Sequence, residues 1–147
     1  TLGWPNRTDI NQPWGHWEDP QLVSVAPETK YDLSMAEPGG DISMNIINYS
    51  KFIQLNLQGL TGKDNFLKAK TYQYLFNSSD NYSIGWGNVT INNIKYSEHQ
   101  GTDGTFFAYA LINRSEPKAY IILINNASGQ AQEGLFKFLK LLKKQYP

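Results

Sequence analysis

The chain has 147 residues, 13 of them basic and 13 acidic, and contains no cysteine. The formal net charge of zero provides no overall field toward nucleic acids or anionic membranes, and the lack of thiols excludes disulfides, thiolate zinc sites and cysteine nucleophiles. A length of this order fits one domain with a single core, so we predict one domain over residues 1–147. No apolar run reaches the roughly 18 residues of a membrane-spanning helix, and we expect no membrane span and no nucleic-acid partner.

The first 40 residues have the composition of an extended, ordered loop. Their prolines are spaced too closely for a long helix: Pro5, Pro13, Pro20, Pro27 and Pro38. Three of the four tryptophans of the chain also lie here, at Trp4, Trp14 and Trp17. Because a disordered tail seldom carries so much aromatic area, we predict that this aromatic loop, residues 1–40, packs on a surface.

Two helices are predicted next. Gly39 and Gly40 indicate a turn, Asn45 is a candidate N-cap, and Gly59 ends the first helix, whose apolar stripe is Ile46, Tyr49, Ile53 and Leu57. The segment "KDNFLKAKTYQYLF", residues 63–76, is a second and shorter candidate. Its expected core contacts are Phe66, Tyr72 and Leu75.

From Tyr82 onward the pattern is typical of strands. "YSIGWGNVTI" and "NIKYSEHQG" are rich in β-branched and aromatic residues, and Asn92 and Asn93 form the turn between them. "TFFAYALIN" and "AYIILINN" follow, joined by "RSEPK". The run from Tyr120 to Ile124 lacks polar alternation, which indicates a strand covered on both faces.

The C-terminal segment "GQAQEGLFKFLKLLKKQYP" has the pattern of an amphipathic helix. Its apolar face is predicted to hold Leu135, Phe138, Leu139 and Leu142, with lysines mostly on the other face. A membrane-surface helix shows this pattern too, but we favour a helix that packs on a sheet. The predicted fold class is α+β, an antiparallel sheet with helices on its faces and the C-terminal helix on the sheet.

Most catalytic motifs are missing from this sequence. Two histidines, His16 and His99, without a zinc-binding spacing, make a metal site a poor hypothesis, and no G-x-S-x-G elbow occurs. Loop acids such as Asp41, Glu98 and Asp103 carry no glycosidase signature. The S-x-x-K match at Ser115–Lys118 contains Pro117, which prevents the helix that this motif requires.

Several segments in order resemble the C-terminal part of the class C β-lactamase, DD-peptidase and esterase superfamily of serine hydrolases. They are "PGGDISMNIINYSKF", then "YSIGWGNV", and then "YSEHQGTDGTFFAYALINRSEPKAYIILINN". The likeness covers most of residues 36–146, and "DINQPWGH" resembles the preceding loop of some exported members. One departure is Asn48, where the family usually has Asp.

The resemblance implies a site at the family's third box, K-T-G or H-x-G, which falls on His99, Gln100 and Gly101. It implies that His99 faces the nucleophile and the substrate carboxylate, and that Gly101 leaves room for the substrate along an edge strand. The backbone N–H of Thr102 would donate to the oxyanion. Catalytic roles are thus expected for His99, Gly101 and Thr102, and substrate binding for Gln100 and Asp103, with no cofactor and no metal.

The family's S-x-x-K and Y-x-N boxes lie upstream of every segment found here. We therefore expect a C-terminal segment of a serine hydrolase that hydrolyses a β-lactam, peptide or ester bond and is inactive alone. Its expected partner is the missing catalytic half, or a second copy that covers exposed sheet, together with a small-molecule or peptide substrate. The resemblance also implies a periplasmic, cell-surface or secreted location.

A second hypothesis comes from a different class of protein. The tryptophan-rich loop and the sheet face would form a stand-alone, non-catalytic module that binds a glycan or a protein. Under this hypothesis His99 is an ordinary strand histidine, and "QGTDG" is a loop with a bulge.

Overall fold

The computed structural model describes residues 2–18, 21–29 and 37–147 and has an α+β fold, as predicted. Thr1, Asp19, Pro20 and residues 30–36 of the predicted aromatic loop lie outside the described residues. The strands are β1 (His16–Glu18), β2 (Leu22–Ser24), β3 (Gly87–Ile91), β4 (Ile94–Thr102), β5 (Phe107–Asn113) and β6 (Lys118–Ile124). The helices are α1 (Glu37–Gly40), α2 (Ile46–Leu60), α3 (Ala69–Asn77) and α4 (Gly129–Gln145).

The strands form two sheets. β1 and β2 pair as an antiparallel hairpin, and the other four strands follow the order β3-β4-β5-β6. Asn92 and Asn93, the predicted turn, both have positive φ, at 51° and 64°. This is the backbone of a two-residue hairpin turn whose twist matches that of the strands, and it pairs Ile91 directly with Ile94.

The chain divides into two compact units, which are described separately. The first comprises Thr1–Asn45, Gly101–Ala108 and Ile122–Pro147, and the second comprises Ile46–Gln100 and Tyr109–Ile121. The single domain expected over residues 1–147 stays a prediction.

The core of the second unit lies between α2, α3 and the sheet. Its buried residues are Ile53, Phe76, Trp86, Ala110 and Ile112. Phe76 and Trp86 stack with ring centroids 4.6 Å apart. Helices α2 and α3 meet closely at Gly59, where a Cβ atom would lie 2.0 Å from the Tyr72 ring. Glycine is therefore required at this crossing. The predicted end of the first helix, Gly59, lies one residue before the observed end of α2 at Leu60.

The second predicted helix is shorter than its sequence pattern suggested. α3 begins at Ala69, because the Asp64 carboxylate accepts a hydrogen bond from the Ala69 N–H at 2.9 Å and the preceding residues form a loop. Phe66 therefore lies in that loop and is 84% exposed, so its predicted core contact is wrong. Gly39 and Gly40 likewise belong to the short helix α1 instead of an open turn.

The first unit ties the N-terminal hairpin to residues from later in the chain. The His16 backbone N–H donates to the Thr105 carbonyl at 3.2 Å, and the His16 side chain lies 2.9 Å from the Asn125 carbonyl. Trp4 is buried and packs edge-on against Trp17, with centroids 6.0 Å apart.

Helix α4, over Gly129–Gln145, is the C-terminal helix that the sequence predicted. The Ser128 hydroxyl caps its first turn by accepting from the Ala131 N–H at 3.3 Å. Leu135 and Leu139 form the buried face. Phe138, predicted on that face, is 50% exposed, since it lies toward the solvent side of the helix.

Candidate functional site

The candidate site is the end of strand β4. β3 pairs with β4 from Ile91↔Ile94 to Gly87↔Glu98, and β4 then continues to Thr102. Before Gly87 the chain turns away: the Ser83 N–H donates to the Trp86 carbonyl at 2.7 Å, and Tyr82 bridges to Gly87. Within the pairs described for β3, none extends beyond Glu98. Residues 99–102 thus continue past the strand that covers the rest of β4 on this side.

The hairpin also fixes the direction of the backbone groups in β4. In an antiparallel pair, successive residues direct their N–H and C=O groups to alternate sides of the strand. The Lys95 carbonyl accepts from the Arg114 N–H on the β5 side at 2.9 Å, and Ile94 faces Ile91 on the β3 side. Continued along the strand, this alternation directs the N–H groups of Gln100 and Thr102 to the β3 side.

His99 lies on the face of β4 that carries the α2–α3 core. Its ring is half-buried and meets Trp86 edge-on, with centroids 6.0 Å apart. Burial lowers the pKa of His99 below its usual value of 6.5. The imidazole is therefore neutral at neutral pH, with one N–H donor and one nitrogen acceptor.

The other predicted site residues differ in exposure and partners. Gln100 is exposed and Gly101 is half-buried. The exposed Thr102 hydroxyl donates to the Phe106 carbonyl at 2.7 Å and accepts from the Gly104 N–H at 2.9 Å. These bonds, with Gly104 at φ 89°, hold the turn that follows β4 in one shape.

The Asp103 carboxylate has several partners inside the protein. Its Oδ1 atom accepts from the Thr105 N–H, the Thr105 hydroxyl and the Phe106 N–H at 2.8–2.9 Å. Its Oδ2 atom accepts from the Trp4 indole N–H at 2.5 Å. A substrate contact of Asp103 has to compete with these four bonds, and its role in substrate binding stays a prediction.

Two further residues near the site were not singled out from the sequence. Trp86 contacts His99. The sequence could have indicated this contact, because extending the β3–β4 pairing by one residue beyond Gly87↔Glu98 places Trp86 opposite His99. The buried Tyr109 donates its hydroxyl to Glu98 at 2.6 Å, next to His99 in the chain. Burial, with the Glu98 carboxylate adding to it, raises the pKa of Tyr109, so this phenol is a donor and not a base.

A buried polar network supports β4 immediately before His99. Ser97 is fully buried and donates its hydroxyl to Asn88 Oδ1 at 2.8 Å. The Asn88 amide donates in turn to the Phe76 carbonyl at 3.0 Å and the Ser83 hydroxyl at 3.0 Å. Arg114 joins the same group by donating to the Phe76 carbonyl at 3.3 Å, and it also donates to Asn77 Oδ1 at 2.6 Å. The network fixes the strand that carries His99 against the end of α3.

The rejected S-x-x-K match lies where the sequence predicted. Ser115, Glu116 and Pro117 form the turn between β5 and β6, and Lys118 begins β6. Lys118 pairs with Glu116 at 3.2 Å. Residues in this turn have no helical spacing, so Ser115 and Lys118 do not form the family's nucleophile and base pair.

Within the described ranges, no three histidine or acidic side chains gather as a metal site. No helix among these residues has the length and apolar character to cross a bilayer. Comparisons with protein-family models, with curated proteins and with solved structures find no match for this chain. Functional inference therefore depends on the geometry at the end of β4.

Proposed function

We propose that the end of β4 is one wall of an acyl-transfer cleft in a penicillin-recognising serine hydrolase. The observation that carries the proposal is the continuation of β4 past its last pair with β3, with the Thr102 N–H on the side that β3 leaves. A backbone N–H at such an edge polarises a carbonyl under attack and stabilises the oxyanion that forms. The substrate would be a β-lactam, a peptide or an ester.

In this proposal His99, Gly101 and Thr102 have separate roles. Thr102 supplies one oxyanion donor, and Gly101 lets the substrate backbone approach the strand as an added β-strand would. The neutral imidazole of His99 donates one hydrogen bond to the substrate carboxylate, held in orientation by Trp86 at 6.0 Å. Gln100, exposed on the opposite face, is a weaker candidate for substrate contact.

The attacking serine, its lysine and the tyrosine base would come from another polypeptide segment. The chain alone is therefore expected to show negligible hydrolysis. Its partner is then the catalytic half, or a second copy that covers exposed sheet. The family's usual periplasmic, cell-surface or secreted location belongs to the same proposal.

The test combines gene sequence with reconstitution. The reading frame before Thr1 should encode S-x-x-K followed by Y-x-N. That upstream segment, expressed separately and mixed with this chain, should hydrolyse nitrocefin or p-nitrophenyl esters, and replacing its serine should abolish turnover. A start codon or a signal peptide directly before Thr1, or a mixture without turnover, would contradict the proposal.

A non-catalytic binding module is the second candidate. The observation in its favour is that Trp14 and Trp17 are half-exposed, next to and within the β1–β2 hairpin, where aromatic faces suit sugar rings or protein side chains. Trp4 is less suited, because it is buried and its indole N–H is bound by Asp103. Glycan-array binding that is lost in Trp14→Ala, with no activity in the reconstituted mixture, would favour this candidate.

A further inference from the structure

The solvent-facing side of α4 combines exposed apolar side chains with lysines. The buried face of the helix is formed by Leu135 and Leu139. Outside it, Phe138 is 50% exposed and Leu141 is 63% exposed. Residues three apart share one side of a helix, so these two side chains form one apolar strip.

The lysines of α4 flank this strip. Lys137 and Lys144 are exposed and lie four residues before and three residues after Leu141, so they are its neighbours on the helix surface. Lys140 is also exposed and neighbours both of these lysines. The helix sequence holds four of the chain's 13 basic residues and a single acid, Glu133, near its N-terminal end. A chain of zero formal charge thus concentrates positive charge on one helix face.

We propose that this face of α4 binds the surface of an anionic phospholipid bilayer. The lysine ammonium groups bind acidic headgroups, while their aliphatic stems lie along the apolar part of the interface. Phe138 and Leu141 enter the boundary between the headgroups and the acyl chains. The helix lies on the membrane and does not cross it. This inference is independent of the acyl-transfer cleft.

An anionic lipid surface fits the observations better than a nucleic acid. Binding to phosphates alone would use the lysines and leave Phe138 and Leu141 in water. A bilayer accepts both kinds of side chain on the same helix face. The contribution of Leu141 therefore separates the two ligands.

The experiment is vesicle co-sedimentation of the complete chain. Vesicles of phosphatidylcholine with about 30 mol% phosphatidylglycerol should pellet the protein at about 0.1 M salt, whereas pure phosphatidylcholine should not. Binding should fall about tenfold or more in Lys137→Glu/Lys144→Glu, because both cations next to the strip are reversed. Leu141→Ser, which removes the apolar side chain and introduces no charge, should lower binding severalfold.

The matched control is Lys51→Glu/Lys63→Glu, which makes the same change in net charge at exposed lysines outside α4. It should retain most of the binding, and circular dichroism should confirm that all variants are folded. The proposal is overturned if the wild-type chain does not bind anionic vesicles. It is equally overturned if the control loses as much binding as the α4 variant, or if Leu141→Ser binds like wild type.

Discussion

The two halves of strand β4 are built in different ways. From Ile94 to Glu98 the strand pairs with β3 and its polar side chain Ser97 is fully buried in a hydrogen-bonded network. From His99 to Thr102 it runs past β3, and the polar side chains there are half-buried or exposed. One strand thus changes from a segment paired with β3 to a segment that runs past the described pairs of β3.

The difference between the two halves explains how the polar segment from His99 to Thr102, which contains Gly101, leads toward the β5–β6 hairpin, whose first strand is almost entirely buried. The network around Asn88 and the stacked Phe76–Trp86 pair hold the first half rigid. The second half, from His99 to Thr102, is the continuation of the same strand.

The largest expected effect on stability comes from a residue that supports the half of β4 paired with β3. Asn88→Ala removes hydrogen bonds to the Phe76 carbonyl, Ser83 and Ser97, and takes away the acceptor of the fully buried Ser97 hydroxyl. We expect the free energy of unfolding to fall by about 2–4 kcal/mol. Urea denaturation measures it. Asn81→Ala, at an exposed side chain, is the control and should change stability by less than about 0.5 kcal/mol; equal losses would mean that the network does not stabilise β4.

Tyr109→Phe should have the next largest effect. The change leaves the Glu98 carboxylate without the hydroxyl that donates to it at 2.6 Å. Because the pair is partly buried, we expect a loss of about 1–2 kcal/mol in the free energy of unfolding. Tyr74→Phe, at a ring that is 63% exposed, serves as the control and should be nearly neutral. A stable Tyr109→Phe protein would show that water replaces the phenol.

Thr102→Val tests the half of β4 that continues past β3, from His99 to Thr102. The hydroxyl bonds to Phe106 and Gly104 are exposed, so water compensates for part of their loss, and we expect about 0.5–1 kcal/mol. Thr90→Val, at an exposed site on β3, is the matched control. A loss as large as that of Asn88→Ala would remove the contrast between the two halves.

The smallest effect is the pH dependence that comes from His99. Burial lowers its pKa below 6.5, so between the lowered pKa and 6.5 the unfolded chain binds more protons than the folded chain. Stability should therefore rise with pH through this window and level off above it. Urea unfolding from about pH 5 to pH 8 should show this slope in wild type and a reduced slope in His99→Asn. An unchanged slope in His99→Asn would contradict the assigned cause.

The sequence predicted α2, α3, α4 and the hairpins of the four-stranded sheet because their signals are local, whereas β1, β2 and α1 lie in the segment that was predicted to be an extended loop. The Asn92–Asn93 turn, the apolar stripe of α2 and the β-branched runs each act within a few residues. Phe66 and Phe138 were assigned to the core because periodicity indicates apolar spacing but not where a helix begins or which side its neighbours cover. Phe66 precedes the true start of α3, and Phe138 lies outside the face set by Leu135 and Leu139.

The candidate site depended on a different kind of signal. The position of His99 to Thr102 came from a resemblance, and its role remains a proposal. The point where β4 runs past β3, in contrast, follows from the hairpin itself. The two-residue turn fixes the register, and the short length of β3 determines where its pairing with β4 stops. One of the four bonds of Asp103 joins it to Trp4, 99 residues earlier in the chain, and a contact over that distance has no local sequence signal.

Covalent acylation tests the central claim most directly. This chain is mixed with the catalytic segment that the proposal places before Thr1, incubated with a penicillin, and examined by intact-protein mass spectrometry. The account predicts an acyl adduct on the partner's serine, forming at least about tenfold more slowly with His99→Ala, and no adduct on this chain alone. An adduct that forms at the same rate with His99→Ala, or on the partner without this chain, would contradict it.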